Sequence, residues 1–163
     1  MNIYPVFRHW FDKGSVYVIS DTHFDDKDRP EWLCPAEILK NINNLVTKDD
    51  VFISLGDVGK PSYIDEIDAA LKILIIGNHD RRHDYEIYFD EVYTGPVFIS
   101  KEILLSHEPV KGLDFCINIH GHIHSGSRID VPECKHKNIS ANLIGYKPLL
   151  LKDICLDAGI HMD

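Results

Sequence analysis

Apolar residues fall along this chain in short runs separated by polar turns. VYVIS (16–20), VFISL (51–55), ILIIG (73–77), ILLSH (103–107), FCINIHG (115–121) and PLLLKDI (148–154) each carry the β-branched and aliphatic density of a buried strand. KNISANL (137–143) is a further strand candidate. Helical spacing occupies the gaps between the first three runs. In PAEILKNINNLV, Pro35 suits a first turn, and Ile38, Ile42, Leu45 and Val46 recur on one face. In SYIDEIDAALK, Ile64, Ile67, Ala70 and Leu71 do the same. Strands alternating with helices early, then mostly strands, predict an α/β layered fold with parallel pairing in its first half.

The polar residues that end these runs change the picture. VYVIS leads into Asp21, Thr22 and His23, and VFISL into Gly56 and Asp57. ILII leads into Gly77, Asn78, His79 and Asp80, ILLS into His107, and CINIHG into His122 and His124. In open α/β sheets, ligands bind outside the carboxyl ends of strands. Gly-Asp and Gly-Asn are common turn pairs taken singly, but five successive strand ends carrying Asp, His or Asn point to one shared site. Within NIHGHIHS, His120, His122 and His124 share a face of an extended chain, so parity alone leaves open which of them converge.

Asp21, His23, Asp57, Asn78, His107, His122 and His124 offer two carboxylates, an amide oxygen and four imidazoles. An open catalytic ion usually takes three or four protein ligands, so this set fits two ions sharing a carboxylate. Two-metal sites hold their ions ~3.5–4 Å apart and clamp the attacking and leaving oxygens of an in-line displacement. Two carboxylates against two divalent cations leave the site positive, which suits a phosphate ester.

Composition narrows the setting. With 163 residues, 44% of them apolar and 26% charged, the chain is expected to form a single globular domain over 1–163. The opening MNIYPVFRHWFDKG lacks the basic-then-apolar pattern of a signal peptide, and no apolar run has the length of a membrane span. Cys34, Cys116, Cys134 and Cys155 are scattered without a C-x-x-C and read as reduced thiols, so a cytoplasmic location is expected. A net charge of −9 argues against an extended nucleic-acid partner but not against a small phosphorylated one. Trp10, Trp32, Tyr85, Tyr88 and Tyr93 read as core or cap residues, while Lys60, Arg81, Arg82 and His83 are phosphate-contact candidates that read first as solvated side chains.

The ordered blocks DTH, GD, GNHD, SHEP and GHIH, from Asp21 to His124, resemble the calcineurin-like metallophosphoesterase superfamily. DTHFDDKDRP is further similar to a branch of small bacterial and phage phosphoesterases, with Asp25-Asp26 where members often carry Gly-His. The resemblance implies an αββα sandwich of two mixed sheets flanked by helices. It implies Asp21, His23 and His124 on a first metal, Asp57 bridging, and Asn78, His107 and His122 on a second. It gives His79 the catalytic role of meeting the scissile phosphate or protonating the leaving oxygen. His120, outside GHIH, is then expected to be a strand residue or to orient a ligand. The implied cofactors are two divalent ions per chain, manganese first, with Fe, Zn, Ni or Co as alternatives. The implied reaction is hydrolysis of a small phosphomonoester or phosphodiester by in-line attack of a metal-bound hydroxide. A nuclease and a non-catalytic scaffold of the same fold are the alternatives. GDVGKPS lacks the second Asp and the Arg of the GD-x-x-D-R-G block, which disfavours a phosphoprotein phosphatase.

Overall fold

A computed structural model of the chain describes residues 4–27, 31, 33–125 and 135–161; Trp32 and Cys134 lie outside these. Among the described residues, nine strands form two sheets. The first joins β1 (Val16–Ile19), β2 (Val51–Ser54), β3 (Leu71–Ile75), β4 (Glu91–Tyr93) and β9 (Leu149–Leu150) in the order β4-β3-β2-β1-β9. The second joins β5 (Val97–Ser100), β6 (Ile103–Leu105), β7 (Ile117–His120) and β8 (Lys135–Asn138) in chain order. Both are mixed. The first is parallel except for β9, and the second is parallel except for the β5–β6 pair. The expected early parallel pairing and the two mixed sheets are both present.

Strand alternation builds the core. Val16, Val18, Val51, Ile53, Ile73 and Ile75 face Val97, Ile99, Ile103, Leu105, Ile117 and Ile119 between the sheets. The opposite face of the first sheet, through Ile19, Phe52 and Leu74, packs against α2 (Pro35–Leu45) by way of Ile38 and Ile42. Pro35 opens α2 where its missing N–H costs nothing, as the sequence suggested. Of the aromatic residues, Trp10 and Tyr85 are buried, and Tyr88 and Tyr93 are partly buried against the two cores.

Three sequence expectations are corrected. SYIDEIDAALK does not form an α-helix: a 3-10 helix covers Pro61–Glu66, and the chain is extended at Ile67. Ile64 and Ile67 are both buried, and their three-residue spacing suits the tighter helix. Hydrogen bonding of the Ala70 amide to Asp50 O and pairing of Leu71 with Val51 then draw the end of the stretch into the sheet. The run PLLLKDI supplies only the two residues of β9 before α4 (Leu151–Asp157) begins. Leu151, Ile154 and Cys155 are buried at i, i+3 and i+4, a helical period inside an apolar run. KNISANL yields strand only through Asn138, followed by a 3-10 turn at Ala141–Leu143.

At the amino end of the sheet, the Asp50 carboxylate accepts hydrogen bonds from the Ser15 amide (2.7 Å), the Thr47 amide (2.9 Å) and the Thr47 hydroxyl (2.7 Å). It ties the entry to β1 to the entry to β2. Burial alone would raise its pKa, but these donors hold it below the usual carboxylate value. Asp50→Asn, which keeps the shape and removes the charge, should lower stability at neutral pH by roughly 2–3 kcal/mol. A depressed folded-state pKa contributes stability that is present above the unfolded value and lost as pH falls through the folded one. Urea denaturation at stepped pH should therefore show the wild-type and Asp50→Asn curves converging in acid. A gap independent of pH would be evidence against the charge-assisted role.

Candidate metal centre

All of the strand-end residues singled out above meet at one edge of the sandwich, where the loops after β1, β2, β3, β6 and β7 converge. The loop after β1 turns sharply, with Asp21 at φ 58° and His23 at φ 39°. Asp57, after β2, stands at φ 52° and His122, after β7, at φ 67°. Non-glycine residues adopt this left-handed region rarely, and here it swings the side chains back over the strand ends. The loops are stitched by main-chain bonds from the amides of Asp21 to Gly56 O, His23 to Asp57 O and Phe24 to Val58 O.

Two groups of side chains result: Asp21, His23 and His124, and Asp57, His107 and His122. In each, one ligand atom per residue lies within 4.8 Å of the others. Asp21 is fully buried, and its Oδ2 accepts from the His122 amide (2.9 Å) and the Ser140 hydroxyl (2.9 Å). Its Oδ1 stands 3.6 Å from His124 Nε2. Asp57 links the groups. Its Oδ1 accepts from the His79 amide at 3.0 Å, while Oδ2 stands 3.7 Å from His23 Nε2 and 3.4 Å from His107 Nε2. Asn78 Oδ1 joins the second group, 3.0 Å from both His107 Nε2 and His122 Nδ1.

Several contacts fix which nitrogen faces inward. His107 Nδ1 lies 2.8 Å from Leu55 O, a carbonyl that can only accept, so Nδ1 carries the proton and Nε2 the lone pair. The amide of Asn142 donates through Nδ2 to His124 O at 2.7 Å, which turns its Oδ1 toward His124 Nδ1 at 3.4 Å. His23 Nδ1 faces Asp26 Oδ2 at 3.2 Å. His23 Nε2 is buried without a hydrogen-bond partner among the described residues, an orphan of the kind an ion satisfies. Burial opposes charge on Asp57, yet its contacts with His107, the His79 amide and His23 hold its carboxyl below the usual range. The His107 imidazole is correspondingly raised by Asp57 and Asp21, against the burial that would lower it. A proton and a divalent cation would compete for these lone pairs.

Glycine is required where the loops touch. A Cβ on Gly77 would lie 2.1 Å from Asp57 Oδ1, and one on Gly121 2.2 Å from Asp21 Oδ2.

His79 is exposed beside the groups, its ring 5.7 Å from that of His23. It lines a groove of about 270 Å³ with Asp25, Asp26, Lys27, Gly59, Lys60 and Tyr85. Arg82, which opens α3 (Arg82–Tyr85), is engaged with Glu86 just past the end of that helix. A larger concavity of about 370 Å³ between β8 and α4 contains none of the candidate residues.

His120 belongs to neither group. It ends β7 fully buried, with Nδ1 on Gly121 O, and burial holds its pKa down at about 4. The sequence reading gave no role to Asp80, Ser140, Asn142 or Asp26. Asp80 accepts from the amides of Asp57 (2.8 Å), Val58 (3.0 Å) and Gly77 (2.8 Å), and its place in GNHD was the available signal. Ser140 and Asn142 follow β8, far from any ligand in sequence, and nothing local marked them.

Two mixed sheets with paired carboxylate–imidazole groups at one edge define a class of α/β metal-site proteins. Within it, residues 14–138 match the family model described as calcineurin-like phosphoesterase, and the chain belongs to that family. It is 27% identical to an uncharacterized protein, MJ1445, of Methanocaldococcus jannaschii, the alignment covering 83% of this chain and 86% of the relative. It also resembles the crystal structure of AQ665 from Aquifex aeolicus, a protein of unknown function. The TM-score is 0.69 at 27% identity, covering 90% of this chain and 99% of that one. Family and site together place the chain with metal-dependent phosphoesterases in general.

The Gly77 contact yields a test. Gly77→Ala forces the Asp57 carboxylate aside and overpacks the junction of two loops, and should cost about 1–3 kcal/mol. Metal content by elemental analysis should fall with it. A variant that keeps wild-type stability and metal content would mean the junction relaxes without disturbing Asp57.

Proposed function

We propose that this protein is a dinuclear metal-dependent phosphohydrolase of a small phosphomonoester or phosphodiester. The observation that carries the reading is the position of Asp57 Oδ2 between His23 of one group and His107 of the other, which suits a carboxylate shared by two ions. Asp21, His23 and His124 would hold the first ion and Asn78, His107 and His122 the second. When bound, two divalent ions supply Lewis acidity to the phosphoryl oxygens and lower the pKa of a water nucleophile. Manganese is the first choice for this mixed oxygen and imidazole set.

The protein's own residues do the rest. Asp57 turns one oxygen to the His79 amide and the other toward the imidazoles, and Asp21 is held by the His122 amide and the Ser140 hydroxyl with its Oδ1 on the side of His124. His79, solvent-facing on the groove wall and held by its amide on Asp57, would deliver a proton to the departing ester oxygen. The small polar groove suits a compact leaving group, with Lys60 at its wall. Against a nuclease stand the net charge of −9 and Asp25 and Asp26 lining the groove where a nucleic-acid strand would pass. Against a scaffold stands the retention of His79 and of every ligand position. Among the described residues no helix is long and apolar enough to cross a membrane. The four scattered cysteines, without a C-x-x-C, fit a cytoplasmic enzyme.

Metal analysis and turnover of p-nitrophenyl phosphate against bis-p-nitrophenyl phosphate test the reading directly. Wild type should bind two ions per chain and hydrolyse at least one of the esters. Asp57→Ala should lose most of both ions, and full retention would remove the bridging assignment.

His79→Gln separates chemistry from metal binding. Metal content should stay near normal, while kcat for alkyl esters falls by ~10²–10⁴-fold, the range of general acid catalysis. For p-nitrophenyl esters, whose leaving group departs as the anion, the fall should be smaller. Equal losses on both would assign His79 to the phosphoryl oxygens instead.

A further inference from the structure

The imidazoles of the two groups are braced by different chemistry. In the second group, His107 leans on a main-chain carbonyl, Leu55 O, which the fold fixes whatever the local side chains are. In the first group both imidazoles lean on side-chain oxygens: His23 on Asp26 and His124 on Asn142. Of these three braces, only that of His23 carries a full negative charge. We propose that Asp26 is a positioning residue for the first metal position, holding His23 with Nε2 turned to the ion and making this position the tighter of the two. The inference rests on reading both groups as metal sites.

The geometry supports this in three ways. A carboxylate can only accept, so opposite Asp26 the His23 Nδ1 carries the proton and Nε2 keeps its lone pair. The side chain of His23 is 6% exposed and its Nε2 has no hydrogen-bond partner among the described residues, so an ion is the partner this orientation prepares for. The turn that presents Asp26 is itself locked. The Asp26 amide donates to His23 O at 3.2 Å, the Lys60 amide donates to Phe24 O at 2.6 Å, and Phe24 stacks on Tyr63 at 4.7 Å. The Tyr63 hydroxyl in turn donates to Asp25 Oδ2 at 2.7 Å, pinning the left-handed residue between them. Asp26 therefore reaches His23 from a preorganised loop.

Charge then distinguishes the two braces. A hydrogen bond to an ionised acceptor is stronger than one to a neutral amide, and it makes the imidazole a better donor to a cation. Asp26 supplies that bond to His23, and Asn142 supplies only the neutral version to His124.

The test is equilibrium dialysis of the full chain, stripped with a chelator, against Mn²⁺ and separately Zn²⁺, with bound metal measured by elemental analysis. Wild type should fill in two steps. Asp26→Ala should weaken the tighter step about 10–100-fold and leave the weaker step and the Tm of the metal-free protein unchanged. Asp26→Asn, which can keep an acceptor but not the charge, should fall between. If wild type binds two ions and Asp26→Ala binds them equally well, the positioning role is overturned while the phosphoesterase reading stands. Equal weakening of both steps with a lower metal-free Tm would make Asp26 a structural residue and overturn it too. A wild-type chain that takes up neither metal would overturn both readings.

Discussion

The site depends on one carboxylate that touches no candidate ligand side chain. Asp80 accepts three main-chain hydrogen bonds, from Asp57, Val58 and Gly77, and so clasps the loop after β2 to the loop after β3. Those loops approach so closely that neither Gly56 nor Gly77 has room for a side chain. The left-handed turn at Asp57 leaves its amide with no partner in the sheet, and a buried unpaired amide costs about 1–3 kcal/mol. Asp80 removes that cost for three amides together. The strained turn becomes tolerable, and Asp57 is presented between the two imidazoles. What the clasp secures is therefore the shared member of the site, from which the separation of the two groups follows.

Legibility of the sequence varied with how local the determinant was. Strand ends were readable because each candidate ligand sits within a few residues of its own apolar run, as Asp21 does after VYVIS and Asp57 after VFISL. The tetrapeptide VFIS shows the limit of local reading. It occurs at 51–54, in the fully buried β2, and again at 97–100 in the edge strand β5, where burial alternates. Sequence reading took the first as a strand and passed over the second, along with the short β4. The supposed helix after Lys60 failed because hydrogen bonding from Ala70 and pairing by Leu71 shortened the span available to it. The run at Leu149–Leu151 failed in the other direction, since two residues of pairing with β1 were followed at once by a helical turn. In both cases tertiary hydrogen bonds overrode an apolar pattern that is ambiguous over so few residues.

The candidate site divides along the same line. Residues that would touch an ion were legible by type, since few other settings gather Asp, Asn and His at five strand ends. Residues that orient them were not, because their partners come from elsewhere in the chain. Ser140 and Asn142 reach Asp21 and His124 from the segment after β8. Asp26 was visible only as a departure from Gly-His in the related branch, with no indication that it turns toward His23.

That long reach has a consequence for how the molecule matures. β1 pairs with β2 on one side and with β9, near the other end of the chain, on the second. Ser20 and Asp21, at its end, are met by Ile139, Ser140 and Ala141. Contacts between residues this far apart in sequence form slowly, because loop-closure entropy must be overcome before they contribute. The buried carboxylate of Asp21 therefore gains its Ser140 hydroxyl only when the segment after β8 has docked on the end of β1. The first group is complete only at that late stage of folding.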